Sequence, residues 1–158
     1  MTSRRVAERI GVKQRLVYYY FRTTDDLIVA TIQRLAALEM KRLGHTLDLK
    51  HPLREIWDVC IHTADARLIA EFTALVNRNK RLGKEVITFI KASRAIQVQA
   101  LTAALKRAGR RSRIPAAGLA LLATSVALSL TRESVLGVHT GHSEIKALIG
   151  QFLADFDP

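Results

Sequence analysis

Six cations and three consecutive tyrosines stand within the first 22 residues: Arg4, Arg5, Arg9, Lys13, Arg15 and Arg22, with Tyr18, Tyr19 and Tyr20. Glu8 is the single acid among them, so the stretch carries a net +5. These side chains suit a polyanion. Lys and Arg neutralise phosphates, tyrosine hydroxyls donate to phosphate oxygens, and a guanidinium fork or a carboxamide reads a base edge. Gln14 suits adenine and Arg15 suits guanine. A blander reading stays open from these residues alone: a small helical hairpin with a solvated basic face.

No other constellation offers comparable chemistry. His139-x-x-His142 has a spacing that could bring two imidazoles to one metal. No carboxylate or cysteine clusters with them, and Gly137 and Gly141 mark a turn, so no metal site is expected. His45, His51 and His62 are scattered. Cys60 lies on an apolar stripe and reads as a small core residue. There is no glycine-rich phosphate loop and no nucleophile elbow. The 14 acids are dispersed, without a pair placed for proton transfer. Neither an enzyme nor a cofactor is expected.

The elements that would position the basic stretch are short. Val6, Ala7 and Ile10 form one apolar stripe, and Gly11 follows at once as a residue that accepts the left-handed conformation ending a helix. Leu16, Val17, Tyr20 and Phe21 form a second stripe. Stripes this short can be buried only against each other and a third element. Helix, glycine turn and helix is the layout of a helix-turn-helix, whose second helix enters the DNA major groove. Here that helix is expected from Lys13 to Tyr20. Thr23-x-x-Asp26 then reads as a capping box opening a third helix that runs to about Gly44.

Several residues at fixed spacing resemble the tetracycline-repressor (TetR) family: Thr2, Val6-Ala7, Gly11-Val12, Val17-Tyr18, Tyr20-Phe21 and Leu27. The resemblance covers about the first thirty residues. The chain departs from the family pattern in three places. Lys13 stands where a small hydroxyl residue usually opens the recognition helix, and Thr24 where a lysine usually follows the aromatic pair. The family also usually has a further helix before this point. The chain is expected to lack it, with Met1 internal to a longer natural sequence and Val6, Val17 and Phe21 short of part of their cover. The resemblance implies a dimeric regulator of double-stranded DNA. On it, Gln14, Arg15, Leu16 and Tyr19 are the candidates for the groove, and Thr2, Arg4, Lys13, Tyr18 and Tyr20 for phosphate. It also implies a pocket for a small apolar effector in the helices from Pro52 onward, with Trp57, Cys60, Ile61, Phe72, Leu75 and Thr124 as candidate lining. Effector binding would then shift the helix starting at Thr23 and change the spacing of two reading heads.

The remaining chain is helical by pattern. Pro52 opens a helix carrying Leu53, Ile56, Trp57, Cys60 and Ile61. A break at Thr63–Asp65 precedes a further helix from Arg67 to about Asn79, with Leu68, Ile69, Phe72, Leu75 and Val76. Asn77 to Gly83 reads as another break. A long helix from about Lys84 to Ala108 uses Val86, Phe89, Ile90, Ile96, Leu101 and Leu105, and Gly109 stops it. From Lys80 to Arg113 ten cations face one acid, Glu85, a net +9. The segment is either a solvated basic face or a second contact with an anionic surface. Ile114 to Thr131 has no charged residue over eighteen positions. Pro115, Gly118 and four hydroxyl residues argue against a membrane span there. An uncharged helix needs cover on every side, and in a chain of 158 residues a second subunit is the natural cover. Helices at Pro115–Gly137 and Ser143–Phe156 are expected to form an antiparallel pair that dimerises.

Composition agrees with this outline. Twenty-five Lys and Arg against 14 acids give a net charge of +11, which points to a polyanionic partner. One cysteine and no secretory signal favour a reducing, cytoplasmic setting. The expected fold is all-α: a helix-turn-helix with its connecting helix in residues 1–43, and an effector-binding and dimerisation bundle in residues 44–158. The expected function is a ligand-responsive repressor acting as a homodimer on operator DNA. The competing reading is a basic helical protein that binds anionic surfaces or acidic partners and reads no sequence.

Overall fold

The computed structural model describes residues 2–62, 76–77, 79–109 and 112–157, and every regular element among them is an α-helix. In chain order these are α1 (Ser3–Ile10), α2 (Gln14–Tyr20), α3 (Thr24–Thr46), α4 (Pro52–His62), α5 (Lys80–Arg107), α6 (Ala116–Val135) and α7 (His142–Phe156). The expected helix at Arg67–Asn79 lies almost wholly outside the described residues, as do Phe72, Leu75, Arg110 and Arg111. No helix among the described residues is long and apolar enough to cross a membrane. The chain divides into two compact units, Met1–Leu38 and Glu39–Pro158. The division falls inside α3, ahead of the boundary expected at 43/44.

The first unit is built on a small core. Ala7, Val17 and Leu27 are buried, one each from α1, α2 and α3, with Val6, Val12 and Phe21 packed around them. Thr23 and Asp26 form the expected capping box in both directions. The Asp26 N–H donates to Thr23 Oγ1 at 3.1 Å, and the Thr23 N–H donates to Asp26 Oδ2 at 3.1 Å. Two expected stripes are thinner than their spacing suggests. Ile10, Leu16 and Tyr20 are exposed, so α1 contributes chiefly Ala7 and α2 chiefly Val17. On α3, Leu27, Val29 and Ile32 are buried while Leu35 and Leu38 are exposed.

The second unit has a core of Leu43, Leu53, Ile56, Ala100, Leu101, Ala104, Ala120 and Leu153. α3 does not stop at Gly44, which is tolerated within the helix. It ends at Thr46, whose hydroxyl donates to the Leu43 carbonyl at 2.7 Å. Pro52 opens α4 as expected, and the buried Asp157 supplies a distant cap. Its Oδ2 accepts from the Arg54 N–H at 3.0 Å, tying the C-terminal end of the unit to the first turn of α4. α5 begins four residues before the expected Lys84. The Asn79 side chain accepts from the Arg81 and Leu82 N–H groups and so caps a helix that includes Gly83.

α6 packs mainly against α5 and α4, and α7 mainly against α5. The expected pairing of the last two helices through a shared apolar face is therefore not their principal packing. Small residues explain why. Ala100 and Ala104 on α5 and Ala120 and Ala127 on α6 are nearly inaccessible, so short side chains form the buried faces of both helices. Leu121, Leu122 and Leu128 are left on the outer face of α6, and Leu148 on that of α7, all exposed.

Candidate nucleic-acid interface

The turn between α1 and α2 is fixed by backbone geometry. Gly11 adopts φ 71 and ψ 28, the left-handed conformation available to glycine at little cost, and its N–H turns back to the Ala7 and Glu8 carbonyls. The Val12 N–H donates to the Ala7 carbonyl at 3.0 Å. These bonds close α1 and send the chain directly into α2. At the other end of α1, Thr2 is the cap: its hydroxyl accepts from the Arg5 N–H at 3.4 Å. That bond uses a lone pair, so the Thr2 O–H remains a donor for phosphate. Lys13 precedes α2 and makes no side-chain capping bond, unlike a small hydroxyl residue at that place.

All nine residues expected to contact DNA are exposed: Thr2, Arg4, Lys13, Gln14, Arg15, Leu16, Tyr18, Tyr19 and Tyr20. The seven-residue α2 buries Val17 alone. At 3.6 residues per turn, the positions opposite Val17 are Arg15 and Tyr19, one turn apart on the outermost line of the helix. Gln14 and Tyr18 flank that line on one side, and Leu16 and Tyr20 on the other. Tyr19 is 79% exposed and stands edge-to-face against Tyr20, with ring centroids 5.2 Å apart. Tyr20, on the expected apolar stripe, is exposed like Tyr18 and Tyr19, and Val17 is the one side chain of α2 that the core takes in. Among the described residues, Arg4 is the candidate cation with an ion pair on this surface, through Nε to Glu8 Oε1 at 3.0 Å.

The candidate effector residues lie in the second unit. Trp57, Cys60 and Ile61 sit on α4 and Thr124 on α6, all half-buried. Trp57 and Cys60 pack on the main core. Cys60 and Thr124 are brought together by Gln97, a residue the apolar stripe of α5 did not single out. Gln97 Nε2 donates to Cys60 Sγ at 3.7 Å, and Thr124 Oγ1 approaches Gln97 Oε1 at 3.2 Å and the Ala120 carbonyl at 2.8 Å. The hydroxyl has one hydrogen, so it serves one of these acceptors at a time. Burial pushes the Cys60 thiol up to about 11. That value is the net result: Glu39 adds to the effect of burial and Arg94 opposes it. The thiol is therefore neutral near pH 7 and unreactive.

A surface cleft of about 280 Å³ lies elsewhere, lined by Ser125, Val126, Ser129, Glu133, His142 and Ile145 among others. It contains none of the six expected effector residues. His142 opens α7 and is buried rather than lying in the turn. Its Nε2 is 3.1 Å from Glu133 Oε2, and this hydrogen bond leads the factors that hold the Glu133 carboxyl below its ordinary value. The His139 and His142 rings meet edge-to-face. Among the described residues no three His, Cys, Asp or Glu side chains gather in a way that could hold a metal ion.

Residues 1–31 match the family model described as bacterial regulatory proteins, tetR family. No curated protein and no solved structure matches the chain.

Proposed function

From the match of residues 1–31 to the tetR-family model, we propose that this chain is a transcriptional repressor that binds operator DNA as a homodimer through a helix-turn-helix and is released by a small effector. One observation carries the reading of the DNA surface. α2 spends a single side chain, Val17, on the core and offers Gln14, Arg15, Leu16 and Tyr19 to a groove. Arg15 and Tyr19 occupy the outermost line and would meet base edges, with Gln14 and Leu16 beside them. Thr2, Arg4, Lys13, Tyr18 and Tyr20 would hold the flanking phosphates.

The dimer is supported by the outer face of α6. Leu121 and Leu122 are more than half exposed, and with Leu128 they follow the spacing of one helical face that also holds Gly118, Ser125 and Ser129. An apolar face broken by small residues permits close approach of a second helix. The exposed Leu148 on α7 extends the same kind of surface. A dimer would present two α2 helices to successive major grooves, so its operator would contain half-sites about one turn of DNA apart or a multiple of it.

The effector would bind in the second unit beside Trp57, Cys60, Ile61 and Thr124, with Phe72 and Leu75 as further candidates. It acts by binding one arrangement of the dimer more tightly than the other, since only a difference in affinity can shift the equilibrium. The test of DNA reading is selection of duplexes from a randomised pool by the full chain. Enrichment of a two-fold repeated site supports the reading, and recovery of unrelated sequences in proportion to the input refutes it.

A second reading has its own observation. Ile87 and Ile90 are both exposed on α5, on a helix that also bears Lys80, Arg81, Lys84 and Lys91. A basic surface with exposed isoleucines suits an anionic surface or an acidic partner without sequence recognition.

A further inference from the structure

The interior of the second unit contains a polar cluster that packing alone does not require. Gln97 is 5% exposed and joins α5 to Cys60 on α4 and to Thr124 on α6. Arg94 stands three residues earlier on α5 and therefore on the same face as Gln97. Its Nη1 is buried and has no hydrogen-bond partner. A guanidinium nitrogen removed from water without an acceptor is costly, and buried groups of this kind are as a rule paired. Two neighbours could have served it and do not. The Cys60 thiol is held neutral by its burial and offers no counter-charge. Glu39 acts on the same thiol, so an acid is in the neighbourhood, yet Nη1 donates to no carboxylate. Trp57, Val59, Cys60 and Ile96 are all packed on the apolar core of this unit.

We propose that Arg94, Gln97 and Thr124 form the polar end of the effector site, and that the effector is an apolar molecule ending in one carboxylate. The proposal rests on the effector-responsive reading above and specifies its ligand. The carboxylate gives Arg94 Nη1 the acceptor it lacks, in a charge-assisted hydrogen bond that a neutral molecule of the same shape cannot match. Gln97 carries a second amide hydrogen beyond the one directed at Cys60, and it fixes the orientation of the head group. The body of the ligand lies among the apolar residues near Trp57. A purely apolar effector would leave Arg94 Nη1 unanswered, so the acid end sets specificity while the body supplies most of the burial.

Trp57 is the single tryptophan of the chain and reports on this core by its fluorescence. The experiment titrates the full chain with dodecanoic acid and its methyl ester, and with 2-naphthoic acid and its methyl ester, following Trp57 emission and heat of binding at pH 7. In at least one pair the acid binds about tenfold or more tightly than its ester, the difference a charge-assisted hydrogen bond supports. Arg94→Met brings the acid to the affinity of the ester and leaves the ester unchanged, which also shows that the variant is folded. Arg94→Lys retains part of the preference. Equal binding of acid and ester overturns the proposal but leaves an effector site standing. So does an acid preference that survives Arg94→Met, because the acid is then held by other cations. Absence of binding by all four compounds overturns the proposal and counts against the effector reading as well.

Discussion

The Arg4 guanidinium donates through Nε to the Glu8 carboxylate at 3.0 Å, so one of the cations placed for phosphate is already paired across a turn of α1. Both side chains are largely exposed, and such a pair contributes only about 0–1 kcal/mol. A phosphate can therefore displace Glu8. Glu8→Gln releases Arg4 and removes a negative charge from the basic face. It is expected to raise affinity for all duplexes alike, by up to about fivefold at low salt. Titration of labelled duplexes, one selected and one scrambled, checks the uniformity of the gain.

Arg15 and Arg4 are expected to differ in kind. Arg15 lies on the outermost line of α2, opposite Val17, and Arg15→Ala should cost about 1–3 kcal/mol while relaxing specificity at one base position. Arg4→Ala should weaken binding to every sequence by a similar factor. Binding to a set of duplexes, each changed at one position, separates the two. Equal losses from both variants on all sequences would favour the nonspecific basic reading.

Leu128 tests the dimer. It is exposed on the outer face of α6, so Leu128→Lys should leave the helical content of the subunit unchanged while placing a charge in the proposed interface. Light scattering at micromolar concentration is expected to give a dimer for the original chain and a monomer for the variant. A monomeric original chain would contradict the proposal.

Much of the helical order was legible because local signals agree with tertiary packing. Gly11 and Gly109 ended helices as expected, both at positive φ, and the Thr23–Asp26 capping box formed. Apolar spacing was a poorer guide to burial in α2. Val17 is the one buried side chain of α2, and Leu16 and Tyr20 stayed outside although they share the apolar period with it. On α5 the stripe pointed to Ile90, which is exposed, and passed over Ala100, Ala104 and Gln97, which are buried. Close packing against α6 selects small residues, and hydrophobicity patterns under-weigh those. Asn79 could have been recognised as the cap of α5, since asparagine ahead of a helical run is a strong signal. Gln97 gave no local sign, because its partners lie 37 and 27 residues away in sequence.

The Glu133–His142 contact gives a pH dependence with a definite sign. The hydrogen bond from His142 lowers the folded-state value of the Glu133 carboxyl from the ordinary 4.5. A carboxylate with a lowered folded value contributes stability that is complete above the unfolded value and is lost as pH falls through the folded one. The stability difference between the original chain and Glu133→Gln should therefore be present at pH 6 and close on acidification below 4.5. Denaturant midpoints measured between pH 3 and 6 check this, and a gap that widens on acidification would contradict it.

The central claim is that α2 reads DNA, and it is tested most directly by salt-dependent binding of the selected duplex with two sets of neutralising changes. One set removes charge at Lys13 and Arg15, the other at Arg110, Arg111 and Arg113. Each phosphate neutralised adds about 0.9 to the log–log salt slope, so a polycation acting through the 80–113 segment would show a steep slope and no preference between sequences. The expected result is that the selected duplex stays preferred over a scrambled one at every salt concentration. The changes at Lys13 and Arg15 should abolish that preference, while those at Arg110, Arg111 and Arg113 leave it intact. Loss of binding from the changes at Arg110, Arg111 and Arg113, with no effect from Lys13 and Arg15, would contradict the assignment of α2 as the reading helix.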